Sequence, residues 1–212
     1  MLPGPNYIYA CPSCGNLIKK TSLMSGNTFN STLYSDGKRI SPMLPELPEL
    51  TKCTKCASIL WFSKLKELGK HKLGDEDNLQ WKNADEAKFL TVNDYFVALN
   101  NGLVKNSGDA LFIRRKIWRA YNDRVRNGNN LFESVNDEIR WKENCAELIK
   151  LLDQSDLNQR IMIAELKRNL GDFEGCLEIV NRIEEKELKW LKDIFIAECK
   201  KGNRIVTKVN RS

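Results

Sequence analysis

The chain has 212 residues, of which 42% are hydrophobic and 29% are charged, and its formal net charge is +6. This length allows one ordinary domain and a small one, and the composition predicts a soluble protein with a hydrophobic core. No run approaches the roughly eighteen apolar residues of a membrane span, and the first residues do not resemble a secretory signal. With seven cysteines and no export signal, we expect a protein of the reducing cytoplasm with no membrane partner.

Two cysteine pairs near the N-terminus carry the most specific chemical signal. In each pair the two thiols are separated by two residues, so that a tight turn can point both sulfurs at one ion. Gly15 after the first pair lets the backbone turn back toward the sulfurs, whereas Ala57 makes the second turn less typical. Two disulfides are the alternative, but bridges over so short a gap are strained or catalytic, and cytosolic proteins rarely keep structural disulfides. We predict one structural zinc ion, held tetrahedrally by Cys11, Cys14, Cys53 and Cys56.

Short β-prone segments surround the cysteine pairs. Tyr7–Tyr9 precedes the first pair, Ile59–Phe62 follows the second, and Asp36-Gly37 between two β-prone runs is typical of a hairpin turn. This order of cysteine turn, hairpin and cysteine turn resembles the zinc-ribbon family, with a longer segment between the turns than is usual. The resemblance implies a small β domain over residues 1–63, whose role in that family is structural, protein-binding or nucleic-acid-binding.

Proline and leucine each recur at every third position within residues 42–50. A polyproline II helix has three residues per turn, so the prolines share one edge and the leucines share another. The segment is either a strut whose leucines pack on the ribbon or a ligand for a proline-recognising module. We favour the strut, because the segment lies inside the zinc loop.

Residues 64–83 are charged, contain two glycines and show little periodicity, which predicts a linker. His71, the one histidine of the sequence, lies in this segment. We expect its side chain to be exposed, because four cysteines already complete the metal site and no nucleophile is near it in the sequence.

From residue 84 to about 209, apolar residues recur with helical periodicity and turn signals follow at helix-length intervals. No stretch of this region predicts a strand, so we expect an antiparallel all-α array. Cys145, Cys176 and Cys199 have no second thiol nearby in sequence, and we expect them to be buried core residues. The predicted helices are 85–99, 109–127, 137–152, 156–170, 172–183 and 186–200.

Part of this region resembles a tetratricopeptide repeat. Small residues stand at Ala164 and Cys176, on either side of the turn Gly171-Asp172-Phe173, and Ala197 and Gly202 echo this spacing about 31 to 33 residues later. An unrelated helical bundle is the alternative. The resemblance implies about two and a half degenerate repeats and, overall, a small β zinc ribbon followed by an all-α, antiparallel, tetratricopeptide-like domain over residues 84–209.

No motif predicts an enzyme: the sequence has no Gly-rich phosphate loop, no nucleophile-elbow serine and no histidine-based metal site. A zinc ion held by four cysteines also lacks the open position that activates water. We therefore expect a non-enzymatic binding protein.

Tetratricopeptide-like stacks form a concave groove lined by the first helix of each pair. Here the first helices would be 109–127, 156–170 and 186–200, and their candidate groove residues are basic or amide-bearing. Such a groove suits an acidic peptide or an exposed carboxylate of a protein partner. The candidate groove residues are Arg115, Arg119, Asn122, Asn158, Arg160 and Lys167.

Nucleic acid is the alternative partner, bound by the ribbon. Residues 1–75 carry ten basic and five acidic residues, whereas the remainder carries 24 basic and 23 acidic residues. Zinc with four thiolates adds two negative charges, which weakens this alternative. A basic stripe on helix 109–127 could also bind phosphate, but we expect it to pair with the acidic helix that follows. The ribbon residues available for nucleic acid are Lys19, Lys20, Lys38, Arg39, Lys52 and Lys55.

Overall fold

The computed structural model describes residues 1–72 and 79–209, and these residues divide into two units. The ribbon unit comprises Met1–Ser31 and Ile40–Ala98, and the helical unit comprises Thr32–Arg39 and the chain from Leu99 onward. The strands are β1 Leu2–Pro3, β2 Asn6–Ala10, β3 Leu17–Lys20, β4 Leu23–Ser25, β5 Thr32–Leu33, β6 Arg39–Ile40, β7 Leu50–Lys52, β8 Ile59–Trp61, β9 Glu67–His71 and β10 Asp85–Glu86. The helices are α1 Leu79–Lys82, α2 Val92–Asn100, α3 Ser107–Arg126, α4 Val135–Leu151, α5 Leu157–Leu170, α6 Phe173–Asn181 and α7 Lys189–Lys200.

The ribbon unit is organised around a four-stranded sheet in the order β10-β3-β2-β9. Strand β2 runs antiparallel to β3 and β9, whereas β10 runs parallel to β3. Tyr9 lies opposite Ile18, and both pack with Phe62 against the buried residues Cys11 and Cys53. Strands β7 and β8 form a separate hairpin, and β1 pairs with β4. The core of this unit is therefore small and includes two of the four candidate metal ligands.

The segment predicted as a linker, residues 64–83, contributes to this sheet. It contains β9 and α1, and its residues 73–78 lie outside the described residues. Gly69 on β9 lies opposite Ile8, and the Trp81 ring of α1 lies 2.2 Å from the place where a Cβ on Gly69 would be. The glycine that indicates a flexible boundary in the sequence is instead a packing position on an edge strand.

Two further expectations about the ribbon unit are wrong. His71, predicted to be exposed, is the last residue of β9 and is only 8% exposed. The helix predicted over 85–99 begins at Val92, because the hydroxyl of Thr91 accepts a hydrogen bond from the backbone N–H of Asp94 and caps the helix there. The first residues of the predicted helix form β10 instead.

The proline- and leucine-rich segment 42–50 packs only at its second end. Leu44 is exposed and Leu47 is half-buried, whereas Pro48 and Leu50 are buried. The predicted leucine edge is therefore not uniformly packed. Its last leucine, Leu50, is buried and is the first residue of β7.

In the helical unit, α3 packs on α4, α5 on α6, and α6 on α7. The α-helical C-terminal region is therefore confirmed, and α3 to α7 begin and end within three residues of the predicted helices. Gly171, with φ of 89°, ends α5 in the left-handed conformation. The repeat type stays a prediction: Ala164 is fully buried, but Ala197, its predicted equivalent, is exposed. Among the described residues, no helix has both the length and the apolarity that a membrane span needs.

The core of the helical unit contains aromatic and thiol side chains. Trp118, Tyr121 and Trp141 are almost completely buried, and Phe132 packs edge-on against Tyr121 and Trp141. A second cluster joins Ala164 and Cys176 with Val180, Phe195 and Cys199. Burial raises the pKa of the thiols there and at Cys145, which is consistent with inert core cysteines. The prediction that Cys145, Cys176 and Cys199 are buried is confirmed.

The predicted Asp36-Gly37 hairpin forms between β5 and β6, but its turn belongs to the helical unit and not to the ribbon unit. The backbone N–H of Ser35 donates to the carbonyl of Thr207 at 2.8 Å, and that of Val209 donates to the carbonyl of Leu33 at 2.9 Å. The expectation of a strand-free helical domain is therefore wrong. These contacts join residues more than 170 positions apart, and local sequence carries no signal for them.

Two ion pairs are buried in the helical unit. Arg168 donates to both carboxylate oxygens of Glu165, at 2.7 and 2.8 Å, and Ser35 donates to Glu165 at 2.6 Å. Asp36 is fully buried at the hairpin turn and pairs with Arg126. Burial opposes the charge on Arg168, but the Glu165 carboxylate outweighs this effect and raises the pKa of the guanidinium. Burial also raises the pKa of Glu165, against the opposing effect of Arg168 and Ser35.

Candidate metal centre

The two cysteine pairs lie at the tips of two β-hairpins, formed by β2 with β3 and by β7 with β8. Both turns make the same backbone hydrogen bond: the N–H of Gly15 donates to the carbonyl of Cys11 at 2.8 Å, and the N–H of Ala57 donates to that of Cys53 at 2.9 Å. Gly15 has φ of 72° and Ala57 has φ of 59°. The second turn therefore has the same shape as the first, although its alanine adopts a conformation that costs little only for glycine.

The sulfur atoms of the four cysteines lie within 4.8 Å of one another. The Sγ atoms of Cys11 and Cys56 are 3.5 Å apart, and those of Cys14 and Cys53 are 3.7 Å apart. A tetrahedron with metal–sulfur distances of about 2.3 Å has sulfur–sulfur edges of about 3.8 Å. The four thiols are therefore close enough to hold one metal ion, as the sequence predicts, and the donor set fits a thiophilic divalent cation.

The pKa values of two of the thiols, those of Cys14 and Cys56, are shifted by their surroundings. Hydrogen bonds from the hydroxyl and the backbone N–H of Ser58 lower the pKa of Cys56 to about 6. The backbone N–H of Asn16 acts to lower the pKa of Cys14, but burial and the three neighbouring cysteines outweigh it and raise the pKa to about 12. The pKa shifts of Cys14 and Cys56 therefore have opposite signs, and a bound cation would favour the thiolate form of both.

Residues around the thiols form an outer layer that includes a residue distant in sequence. The Asn16 side-chain amide donates to the carboxylate of Asp85 at 2.7 Å and lies 3.8 Å from the sulfur of Cys53. The hydroxyl of Thr54 donates to the same oxygen of Asp85. Hydrogen bonds from Thr54 and Asn16 lower the pKa of Asp85. Sequence reasoning missed Asp85, because it lies 69 residues from Asn16 and carries no motif.

Two of the six predicted groove residues contact the chain's own hairpin. Asn122 is 2% exposed and donates to the Asp36 carboxylate at 3.0 Å. Arg119 donates to the backbone carbonyl of Asp36 at 3.1 Å. The expectation that these two side chains are available to line a groove is therefore wrong, because a buried acidic turn of the same unit occupies them.

The other four predicted groove residues differ in how they are engaged. Lys167 pairs with Asp172 at 2.6 Å, and Asn158 is exposed. Within residues 1–72 and 79–209, the guanidinium groups of Arg115 and Arg160 have no hydrogen-bond or ion-pair partner, and the Nε atom of each is buried. Arg115 lies on α3 and Arg160 lies on α5. No acidic side chain among the described residues neutralises either charge.

The two structural units divide the charged residues differently from the division at residue 75 that was used for the sequence. The ribbon unit carries ten basic and nine acidic residues, whereas the helical unit carries 24 basic and 19 acidic residues. Three of the lysines considered for nucleic-acid binding also have acidic neighbours within the ribbon unit: Lys19 with Glu86, Lys20 with Glu49, and Lys52 with Asp94. The excess of positive charge therefore belongs to the helical unit.

The chain matches no protein-family profile, no curated protein and no solved structure. The features that bear on its function are the four-cysteine cluster and the basic side chains of the helical unit.

Proposed function

We propose that this chain is a non-enzymatic, cytoplasmic adaptor in which a structural zinc ion folds the ribbon unit and the helical unit binds an acidic segment of a protein partner. The zinc ion would be held by Cys11, Cys14, Cys53 and Cys56. Four thiolates would complete its coordination, so it supplies folding energy and no site for substrate. Because Cys11 and Cys53 belong to the buried cluster of the ribbon unit, a metal ion held there would stabilise its core.

The observation that carries the binding proposal is that the guanidinium groups of Arg115 and Arg160 have no hydrogen-bond or ion-pair partner among the described residues. Both side chains are half-buried, and a carboxylate from a partner would pair with their terminal guanidinium N–H groups. The same unit already holds one carboxylate with such groups, because Asn122 and Arg126 both donate to the Asp36 carboxylate. The proposed partner segment is acidic for the same chemical reason.

The zinc proposal is tested by elemental analysis of protein purified without added metal. We expect about one zinc ion per chain and no free thiols at the four ligand positions. A different metal at the same stoichiometry would correct the identity of the ion, and the absence of any metal with four reactive thiols would overturn the proposal.

The adaptor proposal is tested by affinity capture from the native cytoplasm with the double variant Arg115→Glu/Arg160→Glu. Arg119 is left unchanged, because its bond to the hairpin makes a loss of folding the expected result of its reversal. The matched control is Lys186→Glu/Lys189→Glu, which reverses the same charge at two exposed positions.

We expect proteins captured by the wild-type chain and by the lysine control to be lost with the arginine variant, without a change in circular dichroism. Binding of those proteins should weaken as salt concentration rises. The same partners on all three baits, or RNA or DNA in place of a protein, would overturn the proposal, and nucleic acid would favour the alternative function.

A further inference from the structure

The region between the two cysteine turns contains a small polar cluster that joins them. It consists of Asn16, which follows the first turn, Thr54, which lies within the second, and Asp85 on β10. One oxygen of the Asp85 carboxylate accepts hydrogen bonds from both Asn16 and Thr54. The Asn16 amide nitrogen is also 3.4 Å from the Thr54 hydroxyl. One carboxylate thus connects both halves of the metal centre.

The position of Asp85 is fixed by backbone pairing. Asp85 lies opposite Ile18 and Glu86 opposite Lys19 in the parallel pairing of β10 with β3. The N–H of Ala87 then donates to the carbonyl of Lys19 at 2.8 Å. Strand β3 begins at Leu17, directly after the first cysteine turn. Its pairing with β10 therefore places the Asp85 carboxylate beside that turn.

The amide of Asn16 has two N–H groups, and Asp85 accepts one of them. The sulfur of Cys53, at 3.8 Å from the amide nitrogen, and the Thr54 hydroxyl, at 3.4 Å, then share the second N–H. A hydrogen bond to a metal-bound thiolate lowers its negative charge density and fixes its orientation. The orientation of the Asn16 amide therefore determines whether Cys53 receives this bond.

We propose that Asp85 is a positioning residue of the metal centre: it orients Asn16 toward the Cys53 thiolate and holds the two cysteine turns together. This inference rests on the proposed metal-binding function. Residues that orient metal ligands in this way typically contribute about 10- to 100-fold to metal affinity. The metal site would then depend on a segment that the sequence places outside the ribbon.

The test is a competition titration of zinc against a chromogenic chelator, with the full-length chain and its variants. Asp85→Ala removes the acceptor, and Glu86→Ala is the matched control, because it removes a neighbouring acidic residue that does not contact the cluster. We expect Asp85→Ala to lose about 10- to 100-fold in zinc affinity, and Glu86→Ala to stay within about twofold of the wild type. Equal affinities for the two variants would overturn the proposal.

A double-mutant cycle separates positioning from a general loss of stability. If Asp85 acts through Asn16, then Asn16→Ala should weaken zinc binding, and Asp85→Ala/Asn16→Ala should be no weaker than the worse single variant. Fully additive losses would show that Asp85 acts in another way and would overturn the proposal.

The cobalt(II) forms provide a second readout. We expect Asp85→Ala to shift the thiolate-to-cobalt absorption bands, whereas Glu86→Ala should leave them unchanged; identical spectra for Asp85→Ala and the wild type would contradict the inference. Should Asp85→Ala not fold, Asn16→Ala alone decides the inference by the same titration. Failure of the wild type to bind either metal would overturn the proposed function itself, and is thus distinguishable from a specific failure of this inference.

Discussion

The two units of this chain treat buried charge differently. In the ribbon unit, the ion pairs of Lys19, Lys20 and Lys52 each keep one partner well exposed, and the core combines apolar side chains with cysteine thiols. In the helical unit, Arg168 and Glu165 are both at most 1% exposed, and Asp36 is fully buried against Arg126. The helical unit also has exposed pairs, such as Lys150 with Glu147, but it includes two ion pairs in its core.

The two units also differ in the interactions that stabilise their cores. The helical unit has a core of tryptophan, tyrosine and isoleucine that can offset the desolvation of buried ions, provided that every donor and acceptor is satisfied. In the ribbon unit, one buried cluster combines Ile18, Leu60 and Phe62 with two of the candidate metal ligands, Cys11 and Cys53. We therefore expect the ribbon to depend on metal and the helical unit to depend on its buried polar network.

The largest expected effect is that of metal removal. Binding of structural zinc contributes on the order of 10 kcal/mol or more, so a strong chelator or the variant Cys53→Ser should unfold the ribbon unit. Helical circular dichroism should be largely kept, because α3 to α7 belong to the other unit. The control Cys145→Ala removes a thiol that is not a ligand and should retain the metal. Loss of the helical signal at the same chelator concentration would show that the two units do not fold separately.

The next effect is that of breaking a buried ion pair. Arg168→Met leaves Glu165 without its cation and should lower the free energy of unfolding of the helical unit by about 3 to 5 kcal/mol, measured by chemical denaturation. The control Lys150→Met removes a cation from the exposed pair with Glu147 and should have no measurable effect. A change at Arg168 as small as that at Lys150 would contradict the importance of the buried network.

A smaller effect tests the helix crossing between α5 and α6. Cys176 is fully buried beside Ala164, so Cys176→Leu should overpack the crossing and cost about 1 to 3 kcal/mol of unfolding free energy. Ala197 holds the corresponding position in the predicted repeat but is exposed, so Ala197→Leu should change stability very little. Equal costs at the two positions would favour a regular repeat over the observed asymmetry.

The smallest effect concerns the two cysteine turns. Ala57→Gly should relieve the left-handed strain and tighten zinc binding by about 1 kcal/mol, which is roughly fivefold in affinity. Gly15→Ala should weaken binding by a similar amount, and no atom lies within 4 Å of the added Cβ to cause a clash. Opposite shifts from these two variants in one chelator titration would support equivalent turns. Shifts of the same sign would contradict it.

The parts of the fold that follow from local sequence were predicted well. The cysteine spacing predicts the cluster of sulfurs, and helix α5 follows from its apolar period, Asp156 at its start and Gly171 at its end. Capping and periodicity are short-range effects that leave a signal within about four residues.

The parts that depend on distant contacts could not be predicted in the same way. Ser35 and Asp36 look like an ordinary exposed hairpin turn, yet they contact residues of α3, α5 and the segment after α7. In the sequence Gly69 indicates a linker, but in the structure the Trp81 ring packs on it. Asp85 gives no local signal for its place beside the cysteine turns, because only the pairing of β10 with β3 brings it there.

The hydrogen bonds between Ser35 and Thr207 also have a consequence for biosynthesis. These residues are 172 positions apart, so at about 5 to 20 residues per second a ribosome needs roughly 10 to 30 seconds to add the second after the first. Cys11 and Cys14 precede this interval, and Cys53, Cys56 and Asp85 are added early in it, so all the candidate ligands are present long before Thr207. The hairpin, however, presents an unpaired edge and an uncompensated Asp36 until its partners have left the exit tunnel. A chain that ends before Thr207 would lack the hydrogen bonds that Thr207 and Val209 make with Ser35 and Leu33.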